Sequence, residues 1–327
     1  MRPSSARSQV TAPMIAGALP VKLIVLGFAS LSAAAALVLG AALRWRRGTR
    51  AVVARLRAAA AAPLPAIVPR ELDGLPPPVA RYFREALPER PTPIAYARLE
   101  QRGRFRLRPG PDGWRPFTAT EHLTAHPAGF VWDACIRVAP GMHVMVRDAF
   151  VEGAGSMVGS VMGLRRVVSV EGTRAISAGA LQRYLAEAVW IPTALLPSAG
   201  VAWKALGPSS ARATLTAGAT TVSVDFYFGA DGLVERIYTA ARERDIGGGR
   251  SVPTPWQGRF SRYDVRDGVR IPLAGEVEWI LLEGPQPYWR GEITSITFER
   301  ALDLTPFGTY DIGSRAARST PASPLRR

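Results

Sequence analysis

From residue 94 onward, apolar side chains return at every second position, and few folds accept that period. The segments 94–108, 113–124, 128–138, 142–152 and 160–171 each alternate and are bounded by Gly, Pro or Asp. The clearest is 220–228, where Val222, Val224, Phe226 and Phe228 share one face and Ser223, Asp225 and Tyr227 the other. Gly229-Ala230-Asp231-Gly232 makes a hairpin turn into 233–243. Further strands fit 256–265, 270–282 and 288–302, with Asp267-Gly268 as another turn. Pro272 falls at a strand start, where its missing donor is tolerated. About ten strands joined by short turns predict a mainly β protein (β with minor α). The expected architecture is one large curled antiparallel sheet, a half-barrel or barrel, with an inserted helix.

The helix interrupts the strand series after residue 176. Ser177-Ala178-Gly179-Ala180 opens it, and Leu181, Tyr184, Leu185 and Ala188 fall on one face. It gives way to Trp190-Ile191-Pro192-Thr193-Ala194-Leu195-Leu196-Pro197, whose two prolines make an apolar but irregular stretch. A shorter helix fits Leu75–Leu87, opened by prolines, with Val79, Tyr82, Phe83 and Leu87 at helical spacing.

The N-terminal part obeys another rule. Leu23 to Leu43 carries no charge, and about 31 Å of helix from those residues matches a bilayer's hydrocarbon thickness. Ala33 to Ala36 imitates a signal-peptide cleavage site, but Leu37, Val38 and Leu39 continue the apolar run until Arg44, Trp45, Arg46 and Arg47 end it. The reading is an uncleaved transmembrane helix, 23–43, making a single pass through the cell membrane. Basic residues on both flanks leave the side of the soluble domain undecided. The organisation expected is a flank 1–22, the span 23–43, a basic Ala/Arg/Pro-rich linker 44–69, one mostly β domain 70–303 and a disordered basic tail 304–327. Within the linker, 46–62 suits either a helix lying along anionic headgroups or a plain stop-transfer flank, and Pro63, Pro65 and Pro69 break it.

A formal charge of +15 raises nucleic acid as a partner, but its distribution argues against one. Residues 1–60 hold nine basic groups and no acid, and 310–327 add a net three, leaving about +3 for the middle of the chain. A near-neutral domain has no footprint for a phosphate backbone. Cys135 is the one cysteine and reads as a small buried hydrophobe on a strand. His122 and His126 stand four apart on a segment that alternates as a strand, without the H-E-x-x-H pattern, so no metal and no cofactor is read. No nucleophile elbow, Walker loop or dinucleotide-binding fingerprint occurs. Gly153-Ala154-Gly155-Ser156-Met157 and Gly247-Gly248-Gly249 read as loops between strands. Asp133, Asp148, Glu152, Glu187, Asp225, Glu276 and Glu278 lie in or near strands and the helix, with no pairing visible from spacing. The run Arg242-Glu243-Arg244 reads as the solvated face of a strand.

The aromatic residues are more suggestive. Trp114, Trp132, Trp190, Trp203, Trp256, Trp279 and Trp289 are spread over most strands, either as core or as the lining of an open apolar cavity. In the second case Trp190 to Pro197 would be a lid across the mouth.

Leu181-Gln182-Arg183-Tyr184-Leu185-Ala186-Glu187-Ala188-Val189-Trp190-Ile191-Pro192-Thr193-Ala194-Leu195-Leu196-Pro197 closely resembles the signature of a bacterial family catalogued only as a domain of unknown function. Leu75-Pro76 with Arg81-Tyr82, Gln101 with Gly103, Gly129-Phe130 with Trp132, and Pro255-Trp256 also fit. The likeness covers residues 70–300 and brings no established activity or catalytic residue. The Tyr263, Gly268, Ile271-Pro272, Trp279 rhythm, with the inserted helix, is also similar to lipoprotein-carrier half-barrels. Those cup an acyl chain or other apolar ligand in a concave sheet.

Three readings follow. In the leading one, a lipid or other apolar ligand is bound beside the membrane, with Tyr184, Trp190, Leu195, Leu196, Trp203, Phe226 and Trp279 as ligand-binding residues. The second is an enzyme acting on a cell-envelope or membrane-derived substrate, with Arg183 and Glu187 as the polar residues to test. The third is a structural or partner-binding anchor with a packed interior. Catalysis is not the favoured expectation.

Overall fold

The computed structural model describes residues 18–60, 67, 70–248 and 250–300. Most of the N-terminal flank, the prolines at 63, 65 and 69 and the tail 304–327 lie outside the described residues. The chain begins with α1 (Ala18–Ala59) and the short α2 (Pro77–Ala86). Six strands follow: β1 (Ile94–Arg106), β2 (Trp114–Thr124), β3 (Gly129–Ala139), β4 (Met142–Val151), β5 (Ala154–Val161) and β6 (Arg165–Glu171). Next come α3 (Arg174–Glu187) and three 3-10 turns between Ala188 and Ala199. The remaining strands are β7 (Ala202–Gly207), β8 (Ser210–Ala217), β9 (Thr220–Phe228), β10 (Val234–Gly247), β11 (Arg250–Arg266), β12 (Val269–Leu281) and β13 (Gly284–Arg300).

These thirteen strands form one antiparallel sheet in the order β6-β5-β4-β3-β2-β1-β13-β12-β11-β10-β9-β8-β7. The sheet is mainly β as expected, and it is open, since β6 and β7 are edges and do not pair. Two differences in strand count have physical causes. The segment 160–171 is two strands, because Met162 (φ 56°) and Gly163 (φ 70°) turn the chain within it. β7 and β8 were not anticipated, because the inward residues of β8 include Ala211 and Ala213, whose methyl groups give a weak alternation. Of the stretch 153–157, Gly153 lies in the β4–β5 turn as expected, but 154–157 is strand and not loop. Gly155 opens β5, where a Cβ would stand 2.6 Å from the Ile176 carbonyl oxygen, so α3 can cross the strand only over a glycine there.

α3 starts one turn before its expected opening. Thr173 caps it, its hydroxyl accepting from Ile176 N at 3.2 Å. The helix crosses the concave face, touching β9, β5 and β10 most, and the 3-10 turns pack beside it against β12. The core thus lies between the sheet and the 174–199 segment, closed on one side by Val79, Tyr82 and Phe83 of α2.

α1 runs down the outer face of the sheet. Its first part is long and apolar enough to cross a membrane. The part after Leu43, which reads as a linker in sequence, continues the same helix onto the strands. Trp45 Nε1 donates to Asp133 at 2.9 Å, and Arg147 donates to Thr49 at 3.0 Å while lying over the Trp45 ring. Leu56 packs with Val131, Ala149 and Val151, and Arg55 pairs with Glu152. Cys135 lies on this outer face and is exposed, not buried, because Ala134 and Ile136 on either side take the inward positions.

Candidate functional site

Strand register decides what the concave face presents. Glu121, Trp132, Asp148 and Met157 stand opposite one another across β2, β3, β4 and β5, and cross-strand neighbours on one face are in contact range. Arg183 of α3 lies over this row. Its guanidinium donates to Asp148 at 2.8 Å, to Glu121 at 3.3 Å and to Glu187 at 3.0 Å, and it lies 4.9 Å from the centres of the Phe130 and Trp132 rings. Gln101 Nε2 donates to Glu121 at 2.6 Å, and Trp132 Nε1 donates to Gln101 Oε1 at 2.8 Å. Glu121 is 0% exposed. Burial, then the Glu187 charge, push its carboxyl well above the ordinary range against the pull of Arg183. Burial works against the Arg183 charge, but Glu187, Glu121 and Asp148 together hold its pKa above the ordinary value. Such a buried network fixes where α3 sits more than it adds stability. Of the two sequence-selected polar residues, Arg183 is its centre and Glu187 its i+4 partner. Glu121 and Gln101 were invisible as members, because only the pairing of β1 with β2 brings them together.

Beyond this row, toward the β1–β2 and β3–β4 hairpin tips, the concave face changes character. The next row, Ala119, Ala134, Val146 and Gly159, is small, and the one after it, Phe117, Ile136, Val144 and Val161, is apolar. Val144 and Val146 are only half-buried. On the next strands of the sheet, the half-buried Phe105, Trp279 and Tyr288 continue this apolar face: Tyr288 stacks on Trp279 at 5.8 Å and meets Phe105 edge-on at 6.1 Å.

Arg242 lies in this part. The ladder between β10 and β11 shifts register between Thr239 and Arg242. Thr239 faces inward toward Gln182, so the irregularity turns Arg242 inward as well. The solvated-strand reading of Arg242 is thereby corrected. Its guanidinium lies 4.6 Å from the Trp256 ring centre and 5.5 Å from that of Trp279. It donates to the Gly179 carbonyl at 3.2 Å and to the Tyr288 hydroxyl at 3.2 Å, which also accepts from Trp256 Nε1 at 2.9 Å. Its described partners include no carboxylate.

The sequence-selected apolar residues divide between two places. Tyr184, Trp190, Leu195, Leu196 and Phe226 are at most 2% exposed, and the half-buried Trp203 packs on Phe226 at 5.1 Å. Their polar atoms meet backbone: Tyr184 Oη donates to Thr124 O at 2.8 Å, Trp190 Nε1 to Pro272 O at 3.0 Å and Trp203 Nε1 to Leu195 O at 2.9 Å. Trp279 stands apart from these six, half-buried beside Arg242. Two clefts of ≈ 700 Å³ and ≈ 600 Å³ lie elsewhere, around Asp231, Arg262 and Arg270 and around Arg102, Arg259 and Glu292, each with charged and apolar side chains in its lining. Among the described residues, no group of three His, Cys, Asp or Glu side chains could hold a metal.

A model of the family of unknown function DUF6920 matches residues 73–298. No curated protein matches the sequence. Among solved structures, the LolA superfamily protein NE2245 from Nitrosomonas europaea is similar with a TM-score of 0.38 at 10% identity, over 72% of this chain and 94% of that one. A beta-barrel-like protein of domain of unknown function DUF1849 from Brucella abortus is similar with a TM-score of 0.19 at 11% identity, over 64% and 99% of the two chains.

Proposed function

The chain belongs to the DUF6920 family of unknown function, and on that footing we propose that it is a membrane-anchored protein holding a lipid or other apolar ligand in the trough of its concave sheet. The observation that carries this reading is the contrast along the concave face. Below the Arg183 row the face is filled by α3 and its turns. Above that row it is small, apolar and aromatic: Phe117, Ala119, Ala134 and Ile136 are buried in the sheet, while Val144, Val146, Phe105, Trp279 and Tyr288 stay half-buried. Apolar surface left open in a concavity is the usual lining of a ligand site. In this reading Trp279, Phe105 and Tyr288 line the trough. Tyr184, Trp190, Leu195, Leu196, Trp203 and Phe226 form its floor from below, in place of a lid over its mouth.

Arg242 sets the polar end of the ligand. A half-buried guanidinium between two indoles, its described partners all uncharged, suits an anionic group at the head of an apolar chain. Anchoring is supported by an α1 that stays helical past Ala33–Ala36 and through the whole apolar run. The enzyme reading would need a substrate to reach the raised Glu121 carboxyl, which lies wholly enclosed.

The test uses the full chain extracted in detergent, followed by organic extraction and mass spectrometry of wild type, Trp279→Ala and Arg242→Ala prepared in parallel. An apolar molecule near one equivalent in the wild type, reduced several-fold in both variants at unchanged thermal stability, is the expected result. Equal recovery from all three would remove the trough as the site, since annular lipid is common to every preparation.

A further inference from the structure

The path of α1 along the sheet fixes which end of the strands faces the apolar span. Ala41 lies against Gly163 at the β5–β6 tip, where a glycine Cβ would stand 3.1 Å from the Ala41 carbonyl oxygen. Further along the helix, Trp45 meets Asp133, Thr49 meets Arg147, and Leu56 lies against Gly129 at the far end of β3. The helix therefore descends from the β5–β6 tip toward the opposite end of the strands, and its apolar part projects beyond that tip.

Four neighbouring hairpins end on this side: β5–β6, β3–β4, β1–β2 and β12–β13. Each tip carries a large exposed apolar residue: Leu164 at 41%, Met142 at 49%, Leu107 at 42% and Leu282 at 104%. Arg108, Arg165 and Arg166 stand exposed beside them, and Arg44, Arg46 and Arg47 are exposed on α1 where the apolar run stops. Asp112 and Glu283 are the acids close to these tips. Ala41 precedes Arg44 by three residues, about 4.5 Å of helix rise, so the contact with Gly163 holds the β5–β6 tip within the depth of lipid headgroups. Exposed apolar side chains with arginines at two of the tips and on the adjoining helix are what an anionic interface accepts.

We propose that these hairpin tips dock into the headgroup layer of an anionic phospholipid bilayer, with Leu164 and Met142 entering it and the arginines pairing with lipid phosphates, so that the trough opens at the membrane surface. This rests on the reading of α1 as a membrane span.

The experiment reconstitutes the full chain into phosphatidylglycerol/phosphatidylethanolamine vesicles. Single environment-sensitive labels are placed in a Cys135→Ser background by Leu164→Cys or Val265→Cys. Val265 is 48% exposed near the β11–β12 turn, at the opposite end of the strands. Flotation reads the anchor independently of the labels, and thermal unfolding in detergent checks that each variant folds. In floating vesicles, blue-shifted emission at position 164, quenched by lipids bearing a nitroxide in the acyl chain, with the label at 265 unshifted and unquenched, is the expected result. Floating protein in which the two labels behave alike overturns the docking while leaving the anchor standing. Protein that fails to float overturns the anchor and the docking with it.

Discussion

The Glu121 carboxyl lies between Gln101, Arg183 and Glu187, and its protonation couples those side chains to pH. Its folded pKa is raised, so between the ordinary carboxylate range and that raised value the folded chain binds a proton that the unfolded chain has released. Stability then falls as pH rises through that window. Glu121→Gln keeps the shape and removes the titration. The unfolding temperature of this variant, followed from about pH 5 to 8, is expected to vary less with pH than that of the wild type. Arg183→Met is the opposite case. It leaves three carboxylates in one enclosed space and is expected to cost about 3–5 kcal/mol by denaturant unfolding. His122 responds on the acid side. Burial, then Arg98 and Arg57, push its pKa down to about 4, so stability is lost as pH falls from its ordinary value toward that figure. Arg183 and Glu187 were legible in sequence because both lie on the signature helix, although their pairing was not. Glu121, Gln101 and Asp148 were not, because strand register alone makes them neighbours.

At the scale of elements, α3 and most strand periods were legible from hydrophobic spacing; β7 and β8 were not, nor were two local features. The register shift before Arg242 changes which way that side chain points, and nothing in Arg242-Glu243-Arg244 signals it. The second feature is the docking of α1 after Leu43. Ala- and Arg-rich sequence is equally good free helix or packed helix, and only the apolar outward residues Val131, Ala149 and Val151 reveal the difference. Trp45 is the key contact, bonded to Asp133 beneath the Arg147 guanidinium. Trp45→Ala is expected to speed amide hydrogen exchange across residues 44–59 while leaving the central strands protected. Unchanged exchange there would mean that Leu56 and the arginine pairs hold the helix without it.

For the molecule as a whole, an open sheet must still keep its two arms together. They meet at Gly153 and Gly218, where a Cβ on either would stand 3.2 Å from the other's Cα, and both glycines have positive φ. Gly218→Ala therefore meets steric and conformational resistance at once and is expected to cost about 1 kcal/mol or more in unfolding experiments. A chain begun at residue 66 loses the cover over Val131, Ala149 and Val151, so it is expected to self-associate on size-exclusion chromatography more than one begun at residue 44. The continuity of α1 also bears on reach. A domain hung on a loose tether can swing away from its lipid surface and deliver what it carries to a distant acceptor. In the reading proposed above, span and strands share one rod, so any cargo must be collected and handed over at a fixed height, by partners that come to it.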